Sequence, residues 1–229
     1  MGRLARRQLG DGIYHVYNRS ANNVWILDTP ESRDHFLKLL ADYGQKYRLN
    51  IYHYCLMSNH FHLAIEGGIK DISSLISGVC SRYSRHWHGA ARNGYGPIWQ
   101  GRYKSVIVQK ANYLSRLGRY IELNPVRAGI VAGEQITEYR WSSAHCYLAG
   151  TADTLVDPAR HPLFAEAGVY GDQERKLYAD YLQVPYQEDI VLFRSKASRI
   201  GDENFLSKLV SIGGRIKLRP GRSSKNENN

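Results

Sequence analysis

The stretch that most constrains the fold is "LNIYHYCLMSNHFHLAIE", residues 49–66. It holds two runs rich in aromatic and β-branched residues, a composition typical of strands. Ser58 and Asn59 separate the runs, and both residue types favour turns. The pattern therefore predicts a β-hairpin of two strands, residues 49–57 and 60–66.

Alternation along the second strand predicts what the sheet's two faces carry. Successive strand side chains point to opposite faces. His60 and His62 therefore share a polar face with Ala64 and Glu66. The opposite face is apolar and belongs in a core; it carries Phe61, Leu63 and Ile65.

The rest of the first 150 residues alternates strand and helix patterns. Thr29 is placed to cap a helix that has Pro30 at its first position. In chain order we predict a strand at 12–20, a helix at 31–47, the hairpin, a helix at 71–88 capped by Asp71, a strand at 105–109 and a helix at 110–124 that Pro125 ends. This order predicts an α+β fold, with a central antiparallel sheet, helices packed on one face and the other face open for a ligand.

The character of the chain changes after residue 150. Residues 151–169 contain prolines and resemble a linker, and helical patterns return at 172–183 and 202–212. We therefore expect a domain at 1–150 and a helical extension at 151–229. The extension ends in "KLRPGRSSKNENN", which we expect to be a disordered basic tail.

Charge favours a polyanionic partner. The formal net charge is +10, and the segment Arg194–Asn229 carries +6 of it. Seventeen tyrosines and four tryptophans accompany the basic residues, a mixture that suits single-stranded nucleic acid as well as a core.

Cysteine usage and hydropathy bear on location. Three widely spaced cysteines make neither a disulfide framework nor a thiolate zinc site, which fits a reducing cytoplasm. No apolar run is long enough to span a bilayer, and the N-terminus lacks the apolar stretch of a secretion signal. We expect a cytoplasmic protein with no membrane partner.

The histidine pair is the first candidate site. Two imidazoles two residues apart in a strand lie about 7 Å apart at their Cα atoms, close enough to converge on one ion or phosphate. They are otherwise two half-exposed strand histidines. For zinc, His53 and Cys55 on the neighbouring strand would have to complete the site with His60 and His62, although the spacing matches no common zinc pattern. A hard divalent ion, completed by oxygen ligands and a substrate phosphate, suits His60 and His62 better.

The helix that ends in "RYIELNPVRAG" holds the second candidate. Its apolar stripe runs through Leu114, Leu117 and Ile121, with Tyr120 at the edge. Asn124 lies one turn further on the same side. An edge position leaves the Tyr120 hydroxyl available for chemistry, although such a tyrosine commonly packs with only its tip in water.

Several motifs in this order resemble the REP-associated tyrosine transposases, bacterial relatives of the single-tyrosine insertion-sequence transposases in the HUH nuclease superfamily. The motifs are "YHVYNRS", "YCLMSNHFHLAIE", "IWQGRYKS", "RYIELNPVRAGIV" and "WSSAHCYL", and they span about residues 10–150. The resemblance implies a ferredoxin-like fold, also used by RNA-recognition modules. It implies that His60 and His62 bind a metal and that Tyr120 is the nucleophile. Asn124 stands where the insertion-sequence enzymes carry a Gln metal ligand, and it is one methylene shorter.

The resemblance also implies the reaction and the partner. The family acts on single-stranded DNA that folds into palindromic hairpins, which places the protein with the nucleoid. A divalent ion, Mg²⁺ or Mn²⁺, held by His60 and His62 would neutralise charge on the scissile phosphate. Tyr120 would attack to form a 5′-phosphotyrosine and release a 3′-hydroxyl. Because the phosphotyrosine is still a diester, rejoining needs no small-molecule cofactor.

The basic and aromatic loop before the fourth strand is the candidate DNA-contact region. It includes Trp99, Arg102, Tyr103 and Lys104, and its aromatic residues are equally suited to cover the core. Arg127 either contacts phosphate or pairs with Glu122.

Two other functions stay open. A non-catalytic nucleic-acid-binding module would bind hairpins without metal. A metal-dependent hydrolase that uses water would cleave DNA without a covalent adduct. Oligomeric state is open as well: insertion-sequence relatives are dimers, but the C-terminal extension would cover such an interface, which favours a monomer.

Overall fold

A computed structural model describes residues 10–90, 95–110, 112–162, 164, 170–184, 187–194 and 199–206. Its strands and helices are β1 (Asp11–Arg19), α1 (Pro30–Tyr47), β2 (Asn50–Leu56), β3 (His60–Gly68), α2 (Ile69–Ala90), β4 (Lys104–Val108), α3 (Asn112–Glu122), α4 (Asn124–Arg127), α5 (Ala144–Ala149), α6 (Asp172–Gln183), α7 (Gln187–Arg194) and β5 (Arg199–Ile200). Among the described helices, none combines the length and the apolar character needed to cross a bilayer.

The sheet has five strands in the order β2-β3-β1-β4-β5. The pairs β1–β3, β1–β4 and β2–β3 are antiparallel, and only the two-residue β5 adds in parallel to β4. With α1 between β1 and β2, and α2 between β3 and β4, this is the ferredoxin-like arrangement. The predicted α+β class and the predicted hairpin are both confirmed.

Local sequence accounts for most of the element boundaries. Thr29 caps α1 as predicted, and its side chain accepts a hydrogen bond from the Ser32 amide. The hairpin turns at Ser58 and Asn59, where the Met57 amide donates to the His60 carbonyl. One predicted cap is wrong, because α2 begins at Ile69 and Asp71 lies inside its first turn.

A first core lies between one face of the sheet and helices α1 and α2. It takes the apolar side chains of β3 that alternation predicted, together with the buried stripes of the two helices. The largest fully buried members include Phe36, Phe61, Tyr14 and Tyr83. Because the apolar residues of β3 are buried here, the alternate residues, His60 and His62 among them, lie on the opposite face of the sheet.

The second face of the sheet is covered along most of its length, which differs from the open face we expected. The apolar stripe of α3 packs on it through Leu114, Leu117 and Ile121, and Phe193 of α7 joins them. Gly118 allows the close approach, because a Cβ at this position would lie 2.5 Å from the His53 ring. Helices therefore lie on both faces, and among the described residues one end of the second face opens into a pocket.

Residues after 150 contribute to both cores. Val156 and Phe164, in the stretch predicted to be a linker, are buried in the first core. Helix α6 matches the predicted 172–183, whereas α5 and α7 had no clear signal in the sequence. Residues 203–206 are helical, and the rest of that predicted helix, like the predicted basic tail, lies outside the described residues.

Candidate active site

A pocket of about 580 Å³ opens at the accessible end of the second face, where β1 ends and β3 begins. Side chains from the sheet form its floor, α3 and α4 form one wall, and the end of α7 closes a corner. It is lined by His15, Tyr17, Asn18, Arg19, Met57, His60, His62, Gln100, Lys104, Tyr120, Asn124, Arg127, Ala128, Phe193 and Arg194. The two candidate histidines, the candidate tyrosine and the candidate asparagine thus meet in one cavity.

Both candidate histidines are held by a hydrogen bond at Nδ1. The Nδ1 of His60 lies 2.7 Å from Asn59 Oδ1, and the Nδ1 of His62 lies 2.8 Å from His15 Nε2. Asn59 Oδ1 can only accept, so Nδ1 of His60 carries the proton and its Nε2 keeps a lone pair. The rings of His60 and His62 are perpendicular, with centroids 5.3 Å apart.

Burial keeps these imidazoles neutral. It lowers the pKa of His60 to about 4, and the positive charges of Arg19 and Arg127 act in the same direction. Burial also lowers the pKa of His62 well below its usual value, with smaller contributions from His15 and His60. The pKa of His15 falls to about 3 through burial alone. Neutral imidazole is the form that binds metal ions, so proton competition at neutral pH is weak.

Tyr120 lies on the same side of the sheet as the histidines. Its ring is edge-on to His15 and to His62, with centroids 5.8 Å away in both cases. Phe193 packs on it at 5.3 Å, and only 5% of the tyrosine is exposed. The packing of the apolar stripe of α3 on the sheet therefore places the Tyr120 ring in the wall of the pocket.

Asn124 and Arg127 are both tied to the end of α3. The Nδ2 of Asn124 donates to the carbonyls of Tyr120 and Ile121, at 3.1 and 2.9 Å. Its Oδ1 is consequently the end of the amide that can serve as a ligand. Arg127 donates to the Tyr120 carbonyl at 2.6 Å, and its guanidinium lies 4.5 Å from the centre of the Tyr120 ring.

The predicted alternative for Arg127, an ion pair with Glu122, is wrong. The Glu122 carboxylate accepts from His53, Ser143 and Tyr178 on the other side of α3. Arg127 is left facing the pocket, beside Tyr120.

The pocket is electropositive. Its described lining includes four cationic side chains and no carboxylate: Arg19, Lys104, Arg127 and Arg194. Lys104 lies opposite Tyr17 in the β1–β4 register, with its Nζ 5.6 Å from the centre of that ring. A lining of this kind attracts a phosphate group.

The remaining candidate DNA contacts separate into two groups. Trp99 and Tyr103 belong to the first core, where the Tyr103 hydroxyl bonds to Ser73 Oγ at 2.7 Å. Of the two roles left open by the sequence, their position favours packing. Arg102 is exposed in the loop before β4, and Lys104 lines the pocket.

The donor set fits a hard divalent ion better than zinc. Across the described ranges, no three His, Cys, Asp or Glu side chains are grouped to hold a metal. The zinc alternative is wrong, because His53 is bonded to Glu122 and burial raises the pKa of the Cys55 thiol. His60 and His62 offer two imidazole nitrogens and Asn124 offers an amide oxygen, a set completed by water or phosphate oxygens.

Among the residues of the site that the sequence analysis does not identify, His15, Asn59 and Phe193 contact the candidate histidines or the candidate tyrosine directly. His15 had a signal, since it shares a strand face with Tyr17 in the "YHVYNRS" motif. Asn59 was assigned only to the turn, although it also holds His60. Phe193 had no signal, because nothing local in α7 indicates which part of the sheet it will contact.

Comparisons with known proteins identify a family and a similar fold. The family described as IS200-like transposases matches residues 9–124, just over half of the chain. The solved structure of a REP-associated tyrosine transposase bound to a REP hairpin is similar in fold, with a TM-score of 0.52 and 17% identity, covering 69% of this chain and 92% of that one. A Deinococcus radiodurans protein assigned as a transposase gives a TM-score of 0.36 at 18% identity, covering 60% of this chain and 95% of its own. No curated protein sequence matches significantly. The family match confirms the resemblance drawn from the sequence motifs, and the chain belongs to the IS200-like transposases.

Proposed function

We propose that this transposase cleaves and rejoins single-stranded DNA beside a palindromic hairpin, through a 5′-phosphotyrosine on Tyr120. The observation that carries the proposal is the meeting of Tyr120 with His60 and His62 in one electropositive pocket. The three side chains come from two distant segments of the chain. A tyrosine beside two imidazoles in a cavity is a combination of a nucleophile with metal-binding groups, which supports a catalytic role.

We assign the metal site to His60, His62 and Asn124, with Mg²⁺ or Mn²⁺ as the ion. When bound, such an ion supplies Lewis acidity, which neutralises charge on the oxygens of the scissile phosphate. The support for this role is that His60 and Asn124 each keep an atom that can bind a metal ion. His60 keeps the Nε2 lone pair, and Asn124 keeps Oδ1, because their other polar atoms are held by Asn59 and by the α3 carbonyls.

Tyr120 is the nucleophile in this proposal. Its oxygen forms a bond to the phosphorus and its proton passes to solvent, while the bond from phosphorus to the 3′ oxygen breaks. The departing oxygen takes up a proton and becomes a 3′-hydroxyl. Arg127, in contact with the Tyr120 ring, places a positive charge beside the attacking group, where the phosphate must lie. Attack by a 3′-hydroxyl on the phosphotyrosine reverses the step.

We assign the DNA contacts first to the cations around the pocket. Arg127 and Lys104 line it directly, and Arg102 lies in the exposed loop that precedes Lys104. A hairpin is the expected substrate because the structurally similar transposase is bound to one. Trp99 and Tyr103 are expected to support this loop from the core and to make little direct contact with bases.

We infer that the protein acts as a monomer, with the nuclease in residues 1–150 and residues 151–229 as an extension. Helix α7 of the same chain packs on α3, where Arg119 and Arg116 both bond to Asp189. The surface of the nucleophile-bearing helix is therefore covered from within. Three free cysteines, two of them buried, are consistent with action in a reducing cytoplasm on nucleoid DNA.

The decisive experiment compares Tyr120→Phe with Tyr113→Phe, on the same helix but outside the described pocket lining. Each protein is incubated with labelled single-stranded hairpin DNA and Mn²⁺ and run on a denaturing gel. We expect Tyr120→Phe to form no covalent adduct while still binding the hairpin, and Tyr113→Phe to behave like the wild type.

The same gel separates the alternatives. Adducts that persist in Tyr120→Phe would move the nucleophile elsewhere. Cleaved DNA without an adduct in the wild type would indicate a hydrolase that uses water. Hairpin binding with no cleavage under any divalent ion would indicate a binding module.

A further inference from the structure

His15 is buried beneath the pocket and contacts a proposed metal ligand. It is 1% exposed, and its Nε2 lies 2.8 Å from the Nδ1 of His62. The register of β1 and β3 places Ala64 directly opposite His15, and the small side chain leaves room for the imidazole to reach His62 diagonally. The Tyr17 ring packs against the His15 ring in a tilted arrangement, with centroids 4.8 Å apart, and limits its rotation.

The proton in this His–His hydrogen bond can lie on either ring. If Nε2 of His15 donates, the proton of neutral His62 sits on Nε2, and that nitrogen cannot bind a metal ion. If Nδ1 of His62 donates, Nε2 of His62 keeps its lone pair. The choice of donor therefore decides whether His62 can be a ligand.

We propose that His15 is a positioning residue that accepts the Nδ1–H of His62 and so presents the Nε2 lone pair of His62 to the pocket. The proposal rests on the proposed function, since His62 is a metal ligand only there. His60 has a similar arrangement, because Asn59 Oδ1 accepts the Nδ1–H of its ring at 2.7 Å. Each ligand of the pair thus has its own acceptor.

The surroundings of His15 allow this role. Its Nδ1 is buried and has no hydrogen-bond partner within the described residues. The proton of His15 can therefore sit on Nδ1 without breaking another hydrogen bond, which leaves Nε2 as an acceptor. An uncharged acceptor also adds no further charge to a buried site, which a carboxylate would.

The test measures Mn²⁺ affinity directly, by electron paramagnetic resonance on metal-free protein without DNA. In His15→Phe the ring volume is kept and the acceptor is lost. In His15→Gln the side-chain oxygen can occupy the position of Nε2 and accept the same hydrogen bond. We expect His15→Phe to bind Mn²⁺ about 10–100-fold more weakly than the wild type, a loss typical of residues that orient metal ligands. We expect His15→Gln to lie closer to the wild type than to His15→Phe.

Two controls separate positioning from a merely structural role. Thermal unfolding shows whether each variant is folded, and His15→Leu replaces His15→Phe if phenylalanine is not accommodated. Hairpin binding without metal is compared across the variants, because a general collapse of the pocket would weaken it together with Mn²⁺ binding.

The outcomes are distinct. Equal Mn²⁺ affinity in the wild type and a folded His15→Phe would overturn the role of His15 and leave the proposed function standing. Equal losses in His15→Phe and His15→Gln would also overturn it, because the acceptor would then not matter. A wild type that binds no Mn²⁺ would overturn the proposed metal site and, with it, the role of His15.

Discussion

Two clusters of buried histidines lie on opposite sides of α3, and they differ in how their polar atoms are satisfied. The open cluster consists of His15, His60 and His62 at the pocket. The closed cluster consists of His53 and His161 with Glu122, Ser143 and Tyr178. Both contain imidazoles in direct contact, but only one contains a carboxylate.

In the closed cluster three side chains donate hydrogen bonds to one carboxylate. Glu122 accepts from His53 Nδ1 at 2.8 Å, from Ser143 Oγ at 2.6 Å and from the Tyr178 hydroxyl at 2.7 Å. His161 Nε2 lies 3.1 Å from the remaining nitrogen of His53. Because these groups come from β2, α3, α6 and the residues between helices, the cluster joins the sheet to the C-terminal segments.

In the open cluster the imidazoles have no carboxylate partner among the described residues. The Nδ1 atoms of His60 and His62 are within hydrogen-bonding distance of Asn59 and His15, and the pocket beside them is lined by cations. The comparison indicates that the closed cluster stabilises the fold, and it is consistent with our proposal that the open cluster binds a ligand.

The largest effect we expect separates activity from stability. His60→Ala should reduce hairpin cleavage to background, because one metal ligand is lost, while the unfolding free energy changes by about 1 kcal/mol or less at this half-buried position. Cleavage is read on a denaturing gel with Mn²⁺ and stability from urea denaturation. His88→Ala, on α2 away from the pocket, is the matched control. Normal cleavage by His60→Ala would contradict the functional role that we assign to the open cluster.

The next effect is on stability. Glu122→Ala removes the one acceptor shared by His53, Ser143 and Tyr178, and should lower the unfolding free energy by about 3–5 kcal/mol, as expected when one partner of a buried pair is removed. Glu138→Ala, at an exposed position, should change it by less than about 0.5 kcal/mol. Urea titrations of both variants provide the measurement. A Glu122 variant as stable as the wild type would show that the closed cluster does not stabilise the fold.

The smallest effect is a dependence on pH. Burial, with a smaller contribution from the facing His53, lowers the pKa of His161 to about 2, whereas an unfolded histidine titrates near 6.5. Below about pH 6.5 the unfolded chain binds a proton that the folded chain does not, so stability falls with falling pH by about 1.4 kcal/mol per pH unit for this group. His161→Phe keeps ring packing against Tyr52 and Tyr147 and should flatten the slope by that amount between pH 6 and 5. Equal slopes in both proteins would contradict the buried neutral state.

Local sequence was sufficient for the part of the fold that local physics controls. The alternation of His60, Phe61 and His62 predicted their faces, because a strand has a period of two. Thr29 and Pro30 predicted the start of α1, because capping involves only neighbouring residues. The candidate site was equally local: the histidine pair, Tyr120 and Asn124 each lie within one recognisable motif.

The errors came from contacts between distant segments. The second sheet face was expected to be open, but α3 and α7 cover most of it, and the amphipathic pattern of a helix does not say which face it will meet. For Trp99 and Tyr103 the sequence leaves a choice between core and DNA, because an aromatic side chain suits both, and the structure places them at the first core. Phe193 and Asp189 reach α3 from over 65 residues away.

The sequence by itself determined the hairpin, the two faces of β3, the order of strands and helices from β1 to α3, and the family. Tertiary structure alone decided that His15 lies behind His62, that Glu122 turns away from Arg127, and that one end of the second face remains accessible. The physical reason is range: periodicity and capping act within a few residues, whereas these contacts depend on the register between β1 and β3 and on how closely α3 approaches the sheet at Gly118.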